Sequence, residues 1–274
     1  MTHNQQTITV KNIPIYIQNW LPENPQAIVI VAHGMGEHSG RYEKTVAANF
    51  YNNDIGVVAF DHIGHGKSGG KRGHNPGYET VLDVIEAVLN VTKQIAADKP
   101  VFIYGHSMGG NAIINYILKR KPAIKGAIAS SPFLKLAFQP PKWKLAAGKL
   151  LLNIAPSITM GNELNPNDIS RDPEEVIKYQ EDDLVHDKIS PNYSITFIEN
   201  GQWAINNAYT LHIPMYVFHG TDDKIIDYKG SETFANNTEK ASLKLYKGGY
   251  HELHNDICKK EVLADMLTWV KSNL

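Results

Sequence analysis

Unbroken apolar runs alternate along this chain with stretches of helical apolar spacing. Ala27-Ile28-Val29-Ile30-Val31-Ala32, Gly56 to Phe60 and Val101-Phe102-Ile103-Tyr104 are short continuous runs, the pattern of strands buried on both faces. Thr7 to Val10 and Ile13 to Gln18 alternate instead, which predicts an opening antiparallel pair. Arg41 to Tyr51 reads as a helix. Thr80 to Ala97 reads as a second, with Val81, Val84, Ile85, Val88, Leu89, Val91 and Ile95 on one face. Asn111 to Leu118 continues the helical spacing, and Ile124 to Ser130 is a further strand closed by Pro132. The pattern then breaks. Residues 132–213 hold no clear buried strand, which is too long for an ordinary connection. Met215 to His219 and Leu243 to Tyr246 resume the strands, each followed by a helix, Tyr228 to Asn237 and Asp256 to Leu274. The last helix is expected to turn Ile257, Val262, Leu263, Met266, Leu267 and Val270 inward. Repeated βα units predict an α/β fold with a mainly parallel, doubly wound sheet. Its core is residues 1–131 and 214–274, and 132–213 is an inserted, mostly helical cap or lid.

The chemistry concentrates where the third apolar run ends. Gly105-His106-Ser107-Met108-Gly109-Gly110 stands between a strand and a helix, the context that a G-x-S-x-G nucleophile elbow requires. Ser107 at its apex is the expected nucleophile. The glycines on either side let neighbouring backbone approach, and the following helix directs its dipole at developing negative charge. Against this stands a glycine-rich turn with an incidental serine. The flanks on both sides favour the nucleophile.

An activated serine needs a base and a group that orients the base. On such elbows they follow in the order serine, acid, histidine, from loops at the C-terminal ends of strands. Gly220-Thr221-Asp222-Asp223 follows one strand and Lys247-Gly248-Gly249-Tyr250-His251 the last one. Asp223 is favoured over Asp222 on its G-x-x-D spacing, although either could cap the next helix. His251 is favoured over His254 because it is nearer the strand end. Two backbone N–H groups must form an oxyanion hole. Met108, after the nucleophile, and Met35, in His33-Gly34-Met35-Gly36, are the expected donors.

Composition removes other classes. Lys and Arg total 27 against 28 Asp and Glu, so no basic field argues for nucleic acid. The single Cys258 excludes an internal disulfide and a cysteine-built zinc cage. Asp61, His62 and His65 lie close together, but the glycines among them suit turns and no further ligand is placed, so no metal and no cofactor are expected. Gly69-Gly70-Lys71-Arg72-Gly73 lacks P-loop spacing. The polar N-terminus and the lack of a membrane-length apolar run lead us to expect a cytoplasmic protein. In the cap, Trp143, Ala147, Leu150, Leu151 and Ile154 share a helical face flanked by Lys142, Lys144 and Lys149. Such a helix either touches a membrane surface peripherally or packs on the core.

The runs HGMGEHSGRY (33–42), DHIGHGKS (61–68), GHSMGG (105–110) and GGYHELH (249–254 with Gly248) resemble the monoacylglycerol lipases, cap-bearing serine hydrolases of the α/β-hydrolase fold. The resemblance runs from about Ile28 to the C-terminus and weakens in the cap. It implies Ser107, Asp223 and His251 as a triad with Met35 and Met108 as oxyanion donors. It also points to Glu37, Arg41, Tyr179 and His254 as contacts of a glycerol head group. The expected activity is hydrolysis of monoacylglycerol through an acyl-enzyme. Alternatives are a lysophospholipase, a general short-chain carboxylesterase, or a ligand-binding sensor on a hydrolase scaffold.

Overall fold

The computed structural model describes residues 2–274. In chain order the strands are β1 His3–Val10, β2 Ile13–Trp20, β3 Ala27–Ala32, β4 Ile55–Phe60, β5 Val101–His106 and β6 Gly126–Ser130, then the two-residue β7 Met160–Gly161 and β8 Lys188–Ile189, and finally β9 Met215–Gly220 and β10 Ala241–Tyr246. The helices are α1 Ala48–Tyr51, α2 Tyr78–Ile95, α3 Met108–Arg120, α4 Lys142–Ile154, α5 Pro173–Gln180, α6 Pro191–Asn207, α7 Tyr228–Asn236 and α8 Lys259–Ser272. Eight strands form one sheet in the order β1-β2-β4-β3-β5-β6-β9-β10. From β4 to β10 the pairings are parallel, while β1–β2 and β2–β4 are antiparallel. This is the mainly parallel sheet that the strand and helix alternation predicts, in the α/β-hydrolase architecture that the resemblance implies.

The unbroken apolar runs are explained by burial on both faces. In β3 and β5, Ile28, Ile30, Ala32 and Ile103 face one hydrophobic cluster with α2, α3 and α6. Val29, Val31, Phe102 and Tyr104 face the other, with α8 and the helical run before β4. Alternate residues therefore serve opposite layers.

Two expected helices differ in detail. The run before β4 is a 3₁₀ turn at Ser39–Tyr42, a π turn at Glu43–Ala47, then α1. Its start is fixed from outside, because Asp61 Oδ1 accepts the Ser39 N–H at 2.8 Å. Ile257, expected inward, is 63% exposed. The Asp256 carboxylate accepts from Arg171 Nε and the Tyr250 N–H, which holds the chain in a loop until α8 begins at Lys259. Val262, Met266 and Val270 then line the buried face.

The long insertion divides in two. α6 belongs to the main core, with Tyr193, Phe197 and Ala204 fully buried. Asn111 and Asn115 of α3 donate to the carbonyls of Phe197 and Asn200 at 3.0 and 3.2 Å. Its interspersed Asn, Ser, Thr and Gln residues hide this burial from hydropathy. α4, by contrast, buries no residue.

Candidate active site

Ser107 links β5 to α3 with φ 50° and ψ −112°. A positive φ strains a serine and persists only where the surroundings impose it. Here the Ser107 N–H donates to Ser130 O at 2.9 Å, and Ser107 O accepts from the N–H groups of Phe133 and Asn111 at 2.9 and 3.0 Å. The flanking glycines are required by close approach. A Cβ on Gly105 would stand 2.5 Å from Gly109 O, and one on Gly109 would overlap Ala32 O. The elbow therefore seats directly on the end of β3.

That seating brings the loop after β3 against the nucleophile: a Cβ built on Gly34 would lie 3.4 Å from Ser107 Cβ. Among the described residues, neither the Met35 nor the Met108 N–H has an acceptor. The two amides are unpaired where the sequence puts the oxyanion donors.

His251 follows β10 and Asp223 follows β9, and these strands are parallel neighbours. His251 Nδ1 lies 2.6 Å from Asp223 Oδ2. The pairing makes Nδ1 the protonated nitrogen and leaves Nε2 as the base. Asp223 Oδ1 accepts from the N–H groups of Ile225 and Ile226 at 2.8 and 3.0 Å. His219 Nε2 approaches Oδ2 at 3.0 Å, while its Nδ1 meets Ser231 Oγ at 2.8 Å. Burial alone would raise the Asp223 carboxyl. The His251 charge and the two histidine hydrogen bonds overcome it and hold the group well below the usual carboxylate range. Burial opposes a charged His251, but Asp223 outweighs it and raises the imidazole. Asp222 is exposed and accepts from its neighbour Thr221.

The four head-group candidates separate into two kinds. Glu37 and Arg41 are buried and already engaged. Glu37 Oε1 accepts the Gly34 N–H and the Tyr42 hydroxyl, each at 2.6 Å, and Oε2 accepts Arg41 Nη1 at 2.7 Å. Arg41 also grips Glu252 with two bonds of 2.7 and 2.8 Å. Burial raises the Glu37 carboxyl, with Glu252 adding to the rise against Arg41. Burial would raise Glu252 too, but Arg41 holds it down to about 2. Tyr179 and His254 keep polar atoms free. The Tyr179 ring lies over the Arg41 guanidinium at 4.8 Å. His254 stacks on Tyr42, and its Nδ1 meets Tyr104 Oη at 3.3 Å. His254 Nε2 has no partner among the described residues. Burial lowers this imidazole to about 4, so it is neutral.

Of the histidines near Asp61, His33 is occupied by backbone through both ring nitrogens and His65 Nδ1 meets Ile63 O at 3.0 Å, while His62 Nε2 and His65 Nε2 are buried without a partner among the described residues. His33 Nε2 accepts the His62 N–H at 2.9 Å and His33 Nδ1 donates to Gly34 O at 2.7 Å. No group of three or more metal-ligating side chains is assembled among the described residues.

Sequence reasoning missed His219 and Glu252. His219 carried a faint signal as the last polar side chain of a buried strand, four residues before Asp223. Glu252 carried none beyond its place after His251, since its partner Arg41 is remote in sequence.

The family model described as Serine aminopeptidase, S33 matches residues 23–257. A monoacylglycerol lipase of Mycolicibacterium smegmatis is 33% identical over 97% of this chain and 95% of its own length. An uncharacterized abhydrolase domain-containing protein of Dictyostelium discoideum is 37% identical over the whole chain, which spans only 29% of that longer protein. Among solved structures, the monoacylglycerol lipase of Paleococcus ferrophilus superposes with a TM-score of 0.87 at 33% identity, covering 95% of this chain and 99% of that one.

Proposed function

The chain belongs to the Serine aminopeptidase, S33 family of α/β-hydrolases and resembles its monoacylglycerol lipases, and from that premise we propose that it hydrolyses monoacylglycerol to fatty acid and glycerol. The observation that carries the chemistry is the Asp223–His251 hydrogen bond of 2.6 Å at a strained serine elbow. Ser107 Oγ attacks the ester carbonyl while His251 Nε2 takes its proton. The carbonyl oxygen becomes an oxyanion held by the Met35 and Met108 amides. When the C–O bond breaks, His251 returns the proton to the glycerol oxygen. Water then attacks the acyl-enzyme by the same relay and releases the acid. Asp223 keeps the imidazole in the required tautomer and stabilises its charged form.

The substrate assignment draws on the named relatives, and two features here agree with it. His254 and Tyr179 offer spare polar atoms that suit glycerol hydroxyls. Glu37 and Arg41 spend their polar atoms on each other, on Gly34 and Tyr42 and on Glu252 instead. Residues 132–190 act as the cap. Its α4 leaves Trp143, Leu150 and Ile154 exposed between Lys142, Lys144 and Lys149, a face suited to peripheral contact with a lipid surface. No helix among the described residues is long and apolar enough to cross a membrane.

A hydrolysis panel tests the reading: monoacyl-, diacyl- and triacylglycerols, lysophospholipids, short-chain esters and aminoacyl amides. Monoacylglycerol should give the highest kcat/KM. A higher value for lysophospholipid or for an aminoacyl amide would reassign the substrate.

A further inference from the structure

We propose that Glu252 is a positioning residue for this reaction: through Arg41 and Glu37 it ties the loop bearing His251 to the loop bearing the Met35 amide, and it fixes a negative charge beside the imidazole. The proposal rests on the assignment of Ser107, Asp223 and His251 above.

The bonds form an unbroken path. It runs from the Gly34 N–H to Glu37 Oε1, from Glu37 Oε2 to Arg41 Nη1, and from Arg41 to both oxygens of Glu252. Glu252 adjoins His251, and Gly34 adjoins Met35. Glu252 is further held by Asn255 Nδ2 at 2.9 Å, and its own N–H donates to Ile169 O at 2.7 Å. All three ionic side chains are buried, at 2, 7 and 4% exposure for Glu37, Arg41 and Glu252. A bidentate guanidinium–carboxylate pair is directional as well as strong. Buried ion bridges are poor sources of stability, because desolvation offsets their attraction. What this bridge supplies is a fixed distance between the oxyanion donor and the base.

It also supplies a field. Asp223, with His219 behind it, faces His251 from the end of β9, and His106 faces it from the elbow with ring centres 4.7 Å apart. Glu37 acts on it from the loop after β3, with Arg41 bound to that carboxylate and to Glu252, and Glu252 and His254 lie on its own loop. His106 and His254 are buried and held neutral, burial being the main cause. After Asp223, Glu252 and Glu37 are the groups that raise His251. The sign follows. His251 must be neutral to accept a proton, so the rate rises with pH through its pKa. Loss of the Glu252 charge weakens the imidazolium and moves that limb to lower pH.

The test measures the rate of fluorophosphonate labelling against pH, which reports the Ser107–His251 pair whatever the natural substrate is. Glu252→Gln should label about tenfold more slowly, with its acid limb moved down by about half a pH unit. In monoacylglycerol hydrolysis it should lower kcat and leave KM near the parent value, since Glu252 does not reach the substrate. An unmoved limb would overturn the field, and a parental rate would overturn the strut. If Glu252→Gln does not fold, Glu252→Asp decides. It keeps the charge but is one methylene too short to span the fork, so it should keep the limb and lose rate several-fold. Parental labelling by Glu252→Asp, or a limb moved to lower pH, would overturn the proposal. Failure of the assignment beneath it looks different: the parent would not label, or Ser107→Ala would.

Discussion

The loops that carry Ser107, Asp223 and His251 and the helix α4 are built on opposite terms. At the strand ends Ser107, Asp223 and His251 are buried, and each is held in place by hydrogen bonds to its backbone or its side chain. The strained backbone of Ser107 is held by Ser130, Phe133 and Asn111, and the Asp223 carboxylate by Ile225, Ile226 and His219. α4 buries nothing, and its ion pairs, Lys144–Glu163 and Lys149–Glu199, are exposed ones, which contribute little. Trp143 is 68% exposed, and a patch of this kind marks a surface that meets something apolar. The difference teaches a division of labour. The strand ends decide whether an ester is cleaved. On the proposed reading, α4 governs how the enzyme meets the phase in which the ester resides. Substitutions of Ser107, Asp223 and His251 should act on every ester alike, and those in α4 on lipid phases alone.

The largest effects should fall at the strand ends. Ser107→Ala should lower turnover by about 10⁶ and abolish fluorophosphonate labelling on soluble and lipid esters alike. Asp223→Asn should cost about 10⁴, because the amide cannot hold the required tautomer. Asp222→Asn should leave kcat/KM nearly unchanged, since Asp222 is exposed. A dead Asp222→Asn beside a working Asp223→Asn would invert the acid assignment.

An intermediate effect sharpens the boundary between chemistry and recognition. Glu37 accepts the Gly34 N–H beside the proposed oxyanion amide of Met35, so Glu37→Ala should weaken hydrolysis of monoacylglycerol and of the matching methyl ester equally. His254 has a spare Nε2. His254→Ala should lower kcat/KM for monoacylglycerol by about ten- to hundredfold while largely sparing the methyl ester, which has no hydroxyls to read. Equal losses on both esters would make His254 a packing residue.

How far the chain could be read depended on the range of each interaction. The strands and the elbow are written locally, in unbroken apolar runs and in glycines at fixed offsets from Ser107. The choice of Asp223 needed only loop order and spacing. α6 was not legible as a core helix, because its burial depends on side-chain amides of α3 satisfying its carbonyls. Arg41 was legible as a donor fork but not as one already closed, because Glu252 lies 211 positions away. Ile257 shows the reverse case. Its spacing fits the α8 face, but Asp256 keeps the backbone out of the helix.

The smallest effect belongs to α4, and it tests the division directly. Trp143, Leu150 and Ile154 recur at intervals of seven and four residues on one exposed face, with lysines beside them. Transferring each such side chain from water to an apolar phase contributes about 1.5–3 kcal/mol when complete. The lysines add attraction to anionic lipid that weakens with salt. Trp143→Asp removes the largest apolar group and places a charge of the wrong sign. It should reduce sedimentation with anionic liposomes by about tenfold and leave the hydrolysis of a soluble short-chain ester unchanged. Folding should be unaffected, because no neighbour covers the ring. Equal liposome binding by mutant and parent would remove the membrane role and leave α4 as a cap helix that only packs on α6. A matching loss on the soluble ester would erase the separation between α4 and the strand ends.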